Sequence, residues 1–275
     1  MSLILHSKSR QLDVSQPVVM GILNATPDSF YNKGHLSDTD SLLRVAEEML
    51  KSGAAILDIG GASTKPGQKL IDADTELLRV IPVIYAIHNN FPEAWLSVDT
   101  YNHRVAKEAV EAGACIINDV SSGRFDTEML KTVASLNVPY IAMHMQGTPE
   151  NMQVSPSYED VVTEVRNYLQ NVSVQCEAAG ITDIIIDPGF GFGKTVAHNF
   201  ELLKSLSMLT SLGKPVLAGL SRKSMICKAL KVNPEKALNG TTALNMVALQ
   251  QGANILRVHD VKEAVEVIEL FKLLN

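Results

Sequence analysis

Long apolar runs, a basic excess, a cysteine framework and a catalytic triad signature are all missing from this 275-residue chain. No uncharged apolar stretch approaches the ~20 residues of a membrane span, so no membrane association is expected. Leu3-Ile4-Leu5 is the only apolar core near the start, too short for a secretory signal. The three cysteines, Cys115, Cys176 and Cys227, are an odd number without metal-ligand spacing. A disulfide scaffold is thereby excluded, and a reducing cytoplasm is the expected compartment. Lys and Arg total 24 against 30 Asp and Glu, a net charge of −6. Without a basic stripe to release counterions, the chain is not expected to bind nucleic acid. A local basic cluster for a small anion is compatible with that balance.

What is present is a repeat of short apolar runs, each ending in a polar residue. The runs cover 18–24, 56–60, 96–99, 116–119, 140–144, 184–187, 216–221 and 255–260. Amphipathic stretches near 39–52, 72–89, 102–112, 126–136, 158–179, 198–212, 234–251 and 261–274 separate them. Such runs read as buried parallel strands and the stretches between as covering helices. Eight units fit a single (β/α)₈ TIM barrel over 1–275, for which ~250 residues is typical, with no room for a second domain. Residues 3–14 read as a short N-terminal β-hairpin able to plug the barrel bottom.

An internal echo supports the repeat. Gly53-Ala-Ala-Ile-Leu-Asp58, Gly113-Ala-Cys-Ile-Ile-Asn118 and Gly252-Ala-Asn-Ile-Leu-Arg257 share a helix stop, a strand and an inward polar residue. Side chains alternate along a strand, so Asp58 shares a face with Gly60, Ser97 with Asp99 and Arg257 with His259. One register then aims Asp99, Asn118, Asp187 and Arg257 at a common axis. Barrel active sites lie at the C-terminal strand ends, where these residues fall. The connections 24–37 and 60–72 are long and rich in Gly, Pro and hydroxyls. Both follow strands and read as mobile catalytic loops.

Two acids beside an amide suit a flat heterocycle with a guanidine-like edge, because carboxylates accept from N–H donors and an amide does both. Taken singly, Asp99 could instead cap the next helix. Arg257 and His259 end the last strand, where barrels often build phosphate sites, and an Arg fork suits phosphate oxygens. Lys65 and Asn24 could complete an anion and metal clamp, Asn24 offering Mg²⁺ a neutral oxygen. Ser221-Arg-Lys-Ser224 opens a helix; Ser221 or Ser224 is expected to cap it, and its free N–H groups suit a carboxylate. Lys223 there opposes the helix dipole, which favours a functional role.

Asp187-Pro-Gly-Phe-Gly-Phe-Gly-Lys-Thr195 is a false lead. A P-loop needs glycine five positions before Gly193, where Pro188 stands, and the evenly spaced glycines fail the dinucleotide fingerprint. The stretch reads as an ordered loop with Phe190 or Phe192 facing a substrate ring. His144 reads as barrel packing, with Met143 and Met145 lining a pocket.

Several of these stretches resemble bacterial dihydropteroate synthases. They are Met20-Gly-Ile-Leu-Asn-Ala-Thr-Pro-Asp-Ser-Phe30, Asp58-Ile-Gly-Gly-Ala-Ser-Thr-Lys-Pro-Gly67, Ser97-Val-Asp-Thr100 and Ile117-Asn-Asp119. Met143-His-Met-Gln-Gly147, Asp187-Pro-Gly-Phe-Gly-Phe-Gly-Lys194, Ser221-Arg-Lys-Ser224 and Arg257-Val-His-Asp260 complete the match. Two positions depart from the family: Ala62 replaces its usual Glu, and Lys65 its usual Arg, losing the bidentate fork. The resemblance implies condensation of 6-hydroxymethyl-7,8-dihydropterin pyrophosphate with p-aminobenzoate, giving dihydropteroate and pyrophosphate. It implies that Asp99, Asn118, Asp187 and Lys223 hold the pterin, with Arg257 against it, and that Asp99, Asp187 and Lys223 are catalytic. It assigns Asn24 to Mg²⁺ and Thr64, Arg257 and His259 to the pyrophosphate. Lys65 and Val258 count among the substrate-binding residues, and Ser221, Arg222, Pro66 and Phe192 form the p-aminobenzoate site. A homodimer is expected. Chemically this is a dissociative substitution: the acids favour a pterin cation and the cations meet the departing pyrophosphate. A neutral arylamine needs no strong base, which accounts for the missing triad.

The alternatives are a non-synthase pterin barrel, such as a methyl-tetrahydrofolate methyltransferase module, and a binding-only relative without chemistry. The Thr-Pro-Asp-Ser-Phe loop and the Ser221-Arg-Lys stretch speak for the synthase.

Overall fold

Alternation along eight parallel strands builds the molecule, which a computed structural model describes for residues 3–26, 38–62 and 67–274. The barrel strands are β3 (Val18–Asn24), β4 (Ile56–Gly60), β5 (Trp95–Asp99), β6 (Ile116–Asp119), β7 (Tyr140–Met143), β8 (Ile184–Asp187), β9 (Leu217–Ala218) and β10 (Ile255–Val258). From β3 to β8 each pairs in parallel with the next, β10 pairs with β3 and β9, and β8 and β9 are the two edges. An isolated parallel bridge between Ile186 and Val216 joins the two edge strands. The expected barrel is therefore the observed one.

Inward positions follow a two-residue period. Met20, Ile56, Ile116, Ile141, Ile185, Leu217 and Ile255 form an apolar floor. Two residues further along, Asp58, Ser97, Asn118, Asp187 and Arg257 occupy the same inner face. The opposite faces of the strands are apolar and pack beneath the helices. The floor is closed from below by the hairpin β1 (Ile4–Ser7) and β2 (Arg10–Asp13), whose Leu5 and the following Val14 are buried against it. The plug expected at 3–14 is present.

The helices are α1 (Asp38–Lys51), α2 (Ala73–Asn90), α3 (His103–Ala112), α4 (Met129–Leu136), α5 (Val161–Ala179), α6 (Val196–Lys204), α7 (Ser207–Thr210), α8 (Ser224–Leu230), α9 (Leu238–Gln250) and α10 (Val261–Leu274). Three elements differ from expectation. The stretch 198–212 is two helices, with Leu206 between them. The run 216–221 stays paired only at Leu217–Ala218, because the chain then bends into a turn with Arg222 in the left-handed region at φ 57°. The last long helix before β10 is preceded by a separate 3₁₀ turn at Pro234–Lys236, with proline at its first position, where no N–H is needed.

Candidate active site

The polar ring above the apolar floor opens into a narrow cleft lined by Asp99, Asn118, Val120, Met143, Asp187, Phe192, Gly219, Lys223 and Arg257. Asp99, Asn118, Asp187 and Arg257, the four residues expected on one axis, are thus gathered by the strand register: Gly60 pairs Asp99, Asp99 pairs Asn118, and Met143 pairs Asp187. Asp99 caps no helix. Asn102 does that for α3, accepting from Arg104 N. A larger hollow of about 540 Å³ lies at the other end, beside Leu12, Phe91 and Trp95. Glu93 is the only ionisable residue among its described lining, so it gathers no reactive set.

Arg257 ties the cleft together. Its Nε donates to Asp58 Oδ2 at 2.7 Å and its Nη2 reaches Asp58 and Asp99 at 2.6 and 2.8 Å. Asn118 Nδ2 donates to the same Asp58 oxygen at 3.0 Å. Asp58 is the residue the sequence reading left out of the site, although its place two residues before Gly60 on the inner face marked it. Burial opposes the charge of Arg257, yet Asp58 and Asp99 hold it above its ordinary value. Burial pushes the Asp99 carboxyl up to about 7, against the pull of Arg257. It raises Asp187 too, against Lys223. Lys223 is pushed down to about 8 by burial, against Asp187. With all three acids ionised, Asp58, Asp99 and Asp187 outnumber the cations Arg257 and Lys223 by one. Such a cleft favours a ligand that is, or becomes, cationic.

Lys223 turns back over the cleft instead of meeting the dipole of α8. It is the N-cap of that helix without a side-chain cap, donating its Nζ to Phe190 O and lying 4.9 Å over the Phe192 ring. Neither serine caps α8. Ser221 Oγ accepts from His259 N at 3.2 Å and lies 3.0 Å from His259 Nδ1, because the ends of β9 and β10 are adjacent. His259 is exposed and is not a core histidine. Arg222 forks onto Asp260 at 3.0 and 2.5 Å, beside the cleft. Val258 does not line the cleft; its side chain is buried in the helix-facing core, since it alternates with Arg257 and His259. Phe190 is likewise buried, and Phe192 is the phenylalanine that faces the cleft. Met143 lines the cleft, and Met145 packs with it beside Tyr101 and Ala62. Asn24 is exposed at the end of β3, in register with Gly60. Thr64, Lys65, Pro66 and most of the loop 24–37 lie outside the described residues.

A (β/α)₈ barrel with acids, an amide and two cations in one mouth offers the donors and acceptors that a flat, hydrogen-bonding heterocycle pairs with. The family model for pterin binding enzymes matches residues 20–259. The dihydropteroate synthase of Escherichia coli K12 is 44% identical over 97% of this chain and 94% of its own length. The Yersinia pestis dihydropteroate synthase with a sulfonamide drug superposes with a TM-score of 0.93 at 44% identity, covering 98% of both chains. The Xanthomonas albilineans enzyme with 4-aminobenzoic acid gives 0.94 at 42% identity, over 100% of this chain and 98% of that one. The chain belongs to the dihydropteroate synthase family.

Proposed function

We propose that this barrel condenses 6-hydroxymethyl-7,8-dihydropterin pyrophosphate with p-aminobenzoate, releasing pyrophosphate and forming 7,8-dihydropteroate. The observation that carries the reading is the convergence of Asp99, Asn118, Asp187, Lys223 and Arg257 on one cleft in a member of this family. The acids accept from the amino and ring N–H groups of the pterin, and Asn118 meets an edge that both donates and accepts. The excess negative charge favours the pterin cation left when the carbon–oxygen bond breaks. Asp99, Asp187 and Lys223 act on the reacting ring. Ser221, Arg222 and Phe192 serve the arylamine, whose nitrogen is neutral near pH 7 and attacks without a general base.

Magnesium fits this site only as a companion of the substrate. Among the described residues no three His, Cys, Asp or Glu side chains group as a metal site. Asn24 supplies one neutral oxygen, and Mg²⁺ characteristically keeps water and phosphate oxygens for the rest. An ion held there would offset charge on the departing pyrophosphate. Arg257 and His259 flank that side, where Thr64 and Lys65 also belong in this reading. No helix among the described residues is long and apolar enough to cross a membrane. A cytoplasmic homodimer belongs to the same reading.

The test is incubation of the protein with both substrates and Mg²⁺, following pyrophosphate and the pteroate product. Stoichiometric formation of both is expected. Pterin binding without pyrophosphate release removes the proposal and leaves a binding-only barrel.

A further inference from the structure

The lysine of the P-loop lookalike is the most deeply buried amine in this cleft's surroundings, and nothing above gives it work. Lys194 is 2% exposed. Its Nζ lies 2.9 Å from Gly189 O, 3.1 Å from Phe192 O and 2.9 Å from His144 Nδ1. Three acceptors match the three N–H donors of an ammonium. Burial pushes the Lys194 amine well below its ordinary value and the His144 imidazole down to about 2, so the ring is neutral near pH 7. A neutral amine would take the Nδ1–H of His144 and still donate to both carbonyls. The grip on the loop does not depend on that proton.

The caged carbonyls belong to residues that aim the site. The Gly189 N–H donates to Asp187 Oδ1 at 2.7 Å, so the Gly189 peptide is held at one end by Lys194 and at the other by the cleft carboxylate. Phe192 carries the ring that stacks under Lys223 Nζ. His144 N donates to Asp187 O at 3.0 Å, which ties the third acceptor to the same strand end.

We propose that Lys194 is a positioning residue: its buried amine locks the turn from Asp187 to Phe192, and so sets the aim of the pterin carboxylate and of the ring beside the arylamine. This rests on the condensation reading for the names of the ligands, and on the hydrogen bonds alone for the lock. A free turn would let the Asp187 oxygens rotate, and displacements near 1 Å in such groups cost up to about a hundredfold in rate.

The experiment compares Lys194→Met, His144→Leu and His144→Asn with the wild type. Asn keeps an acceptor near the place of Nδ1, whereas Leu removes it. Cys176→Ala, in the core under α5, matches them for lost stability without touching the cleft. Steady-state KM for each substrate, kcat, and calorimetric affinity for a dihydropterin ligand are measured, with thermal unfolding alongside. Lys194→Met is expected to raise both KM values and the dihydropterin dissociation constant about tenfold, more than it lowers kcat. His144→Leu should shift them in the same direction, His144→Asn should stay near wild type, and Cys176→Ala should lower the unfolding temperature only. Should Lys194→Met fail to fold, the two His144 variants decide. Unchanged KM and affinity in the folded Lys194 or His144→Leu variant, or an equal shift in Cys176→Ala, overturns the positioning role. A wild type that makes no pteroate, with affinity still lost in Lys194→Met, would remove the condensation reading and keep the lock.

Discussion

Asp58 gives one carboxylate oxygen to both Arg257 and Asn118, while its other oxygen has no hydrogen-bond partner among the described residues. Arg257 is therefore aimed from beneath, and the ionisable groups left to face a ligand are Asp99, Asp187 and Lys223. Their titration sets the pH dependence. Asp99 must be ionised to accept from the pterin, so kcat/KM should rise as pH passes about 7. Lys223 must be charged, so kcat/KM should fall as pH passes about 8. Because these groups interact, both limbs belong to the cluster rather than to single residues. Lys223→Arg keeps its charge at any accessible pH and should move the alkaline limb upward. A limb that stays near 8 in that variant assigns it elsewhere, and Glu76 is the group to examine. Glu76 is fully buried in the first turn of α2, and burial raises it from 4.5 to about 8 against the opposing pull of the Thr100 hydroxyl. Between those two values the folded protein keeps a proton that the unfolded chain releases. The stability from Glu76 is thus present below pH 4.5 and lost as pH rises through about 8. Glu76→Gln has no such titration. Urea unfolding from pH 5 to 9 should show a flatter stability profile for the variant, with its advantage growing toward the alkaline end; parallel profiles would mean Glu76 is already ionised.

The turn after β8 works as an element because its backbone enters space no side chain can share. Gly189 has φ 66°, and an added Cβ would collide with the His144 carbonyl oxygen. Gly213, at φ 68°, would meet nothing within 4 Å among the described residues. The pair separates two costs. Gly213→Ala should lose only the left-handed backbone penalty of roughly 1–2 kcal/mol. Gly189→Ala should lose more than that in urea unfolding, together with dihydropterin affinity, since Asp187 is bonded to that peptide. Equal losses at the two glycines would mean the turn yields without disturbing the carboxylate. The same stretch shows what a sequence makes legible. Strand ends were readable, because a two-residue period separates the inward Asp99, Asn118, Asp187 and Arg257 from the helix-facing core. Partners across the barrel were not: that Arg257 meets Asp58 depends on how β10 and β4 lie across β3, and that Lys194 turns inward depends on tertiary acceptors. Capping at Ser221 failed for a similar reason, since His259 from another strand uses its hydroxyl. The break near Leu206 had no glycine or proline to announce it.

At the scale of the whole molecule the barrel divides its labour between two ends. The C-terminal mouth holds buried charges, which burden folding, and the opposite end compensates with a dry floor and the hairpin plug. Leu5 is 2% exposed and rests on that floor, with Met20 and Ile56 among the residues of the same cluster, one layer below Asp58 and Asp187. Removing its side chain should cost about 2–4 kcal/mol through lost burial and a residual cavity. For a domain of this size that is a fall of roughly 2–4 °C per kcal/mol in the unfolding temperature. If the floor is as rigid as its packing, Leu5→Ala should leave both KM values and the dihydropterin affinity at wild-type levels below its transition. Thermal unfolding and steady-state kinetics on the same preparation decide the matter. A KM shift beyond about threefold would mean that the floor transmits strain to the ring above it, as close-packed interiors are able to do. The strand ends would then owe their aim to the plug as well as to the loops around the mouth.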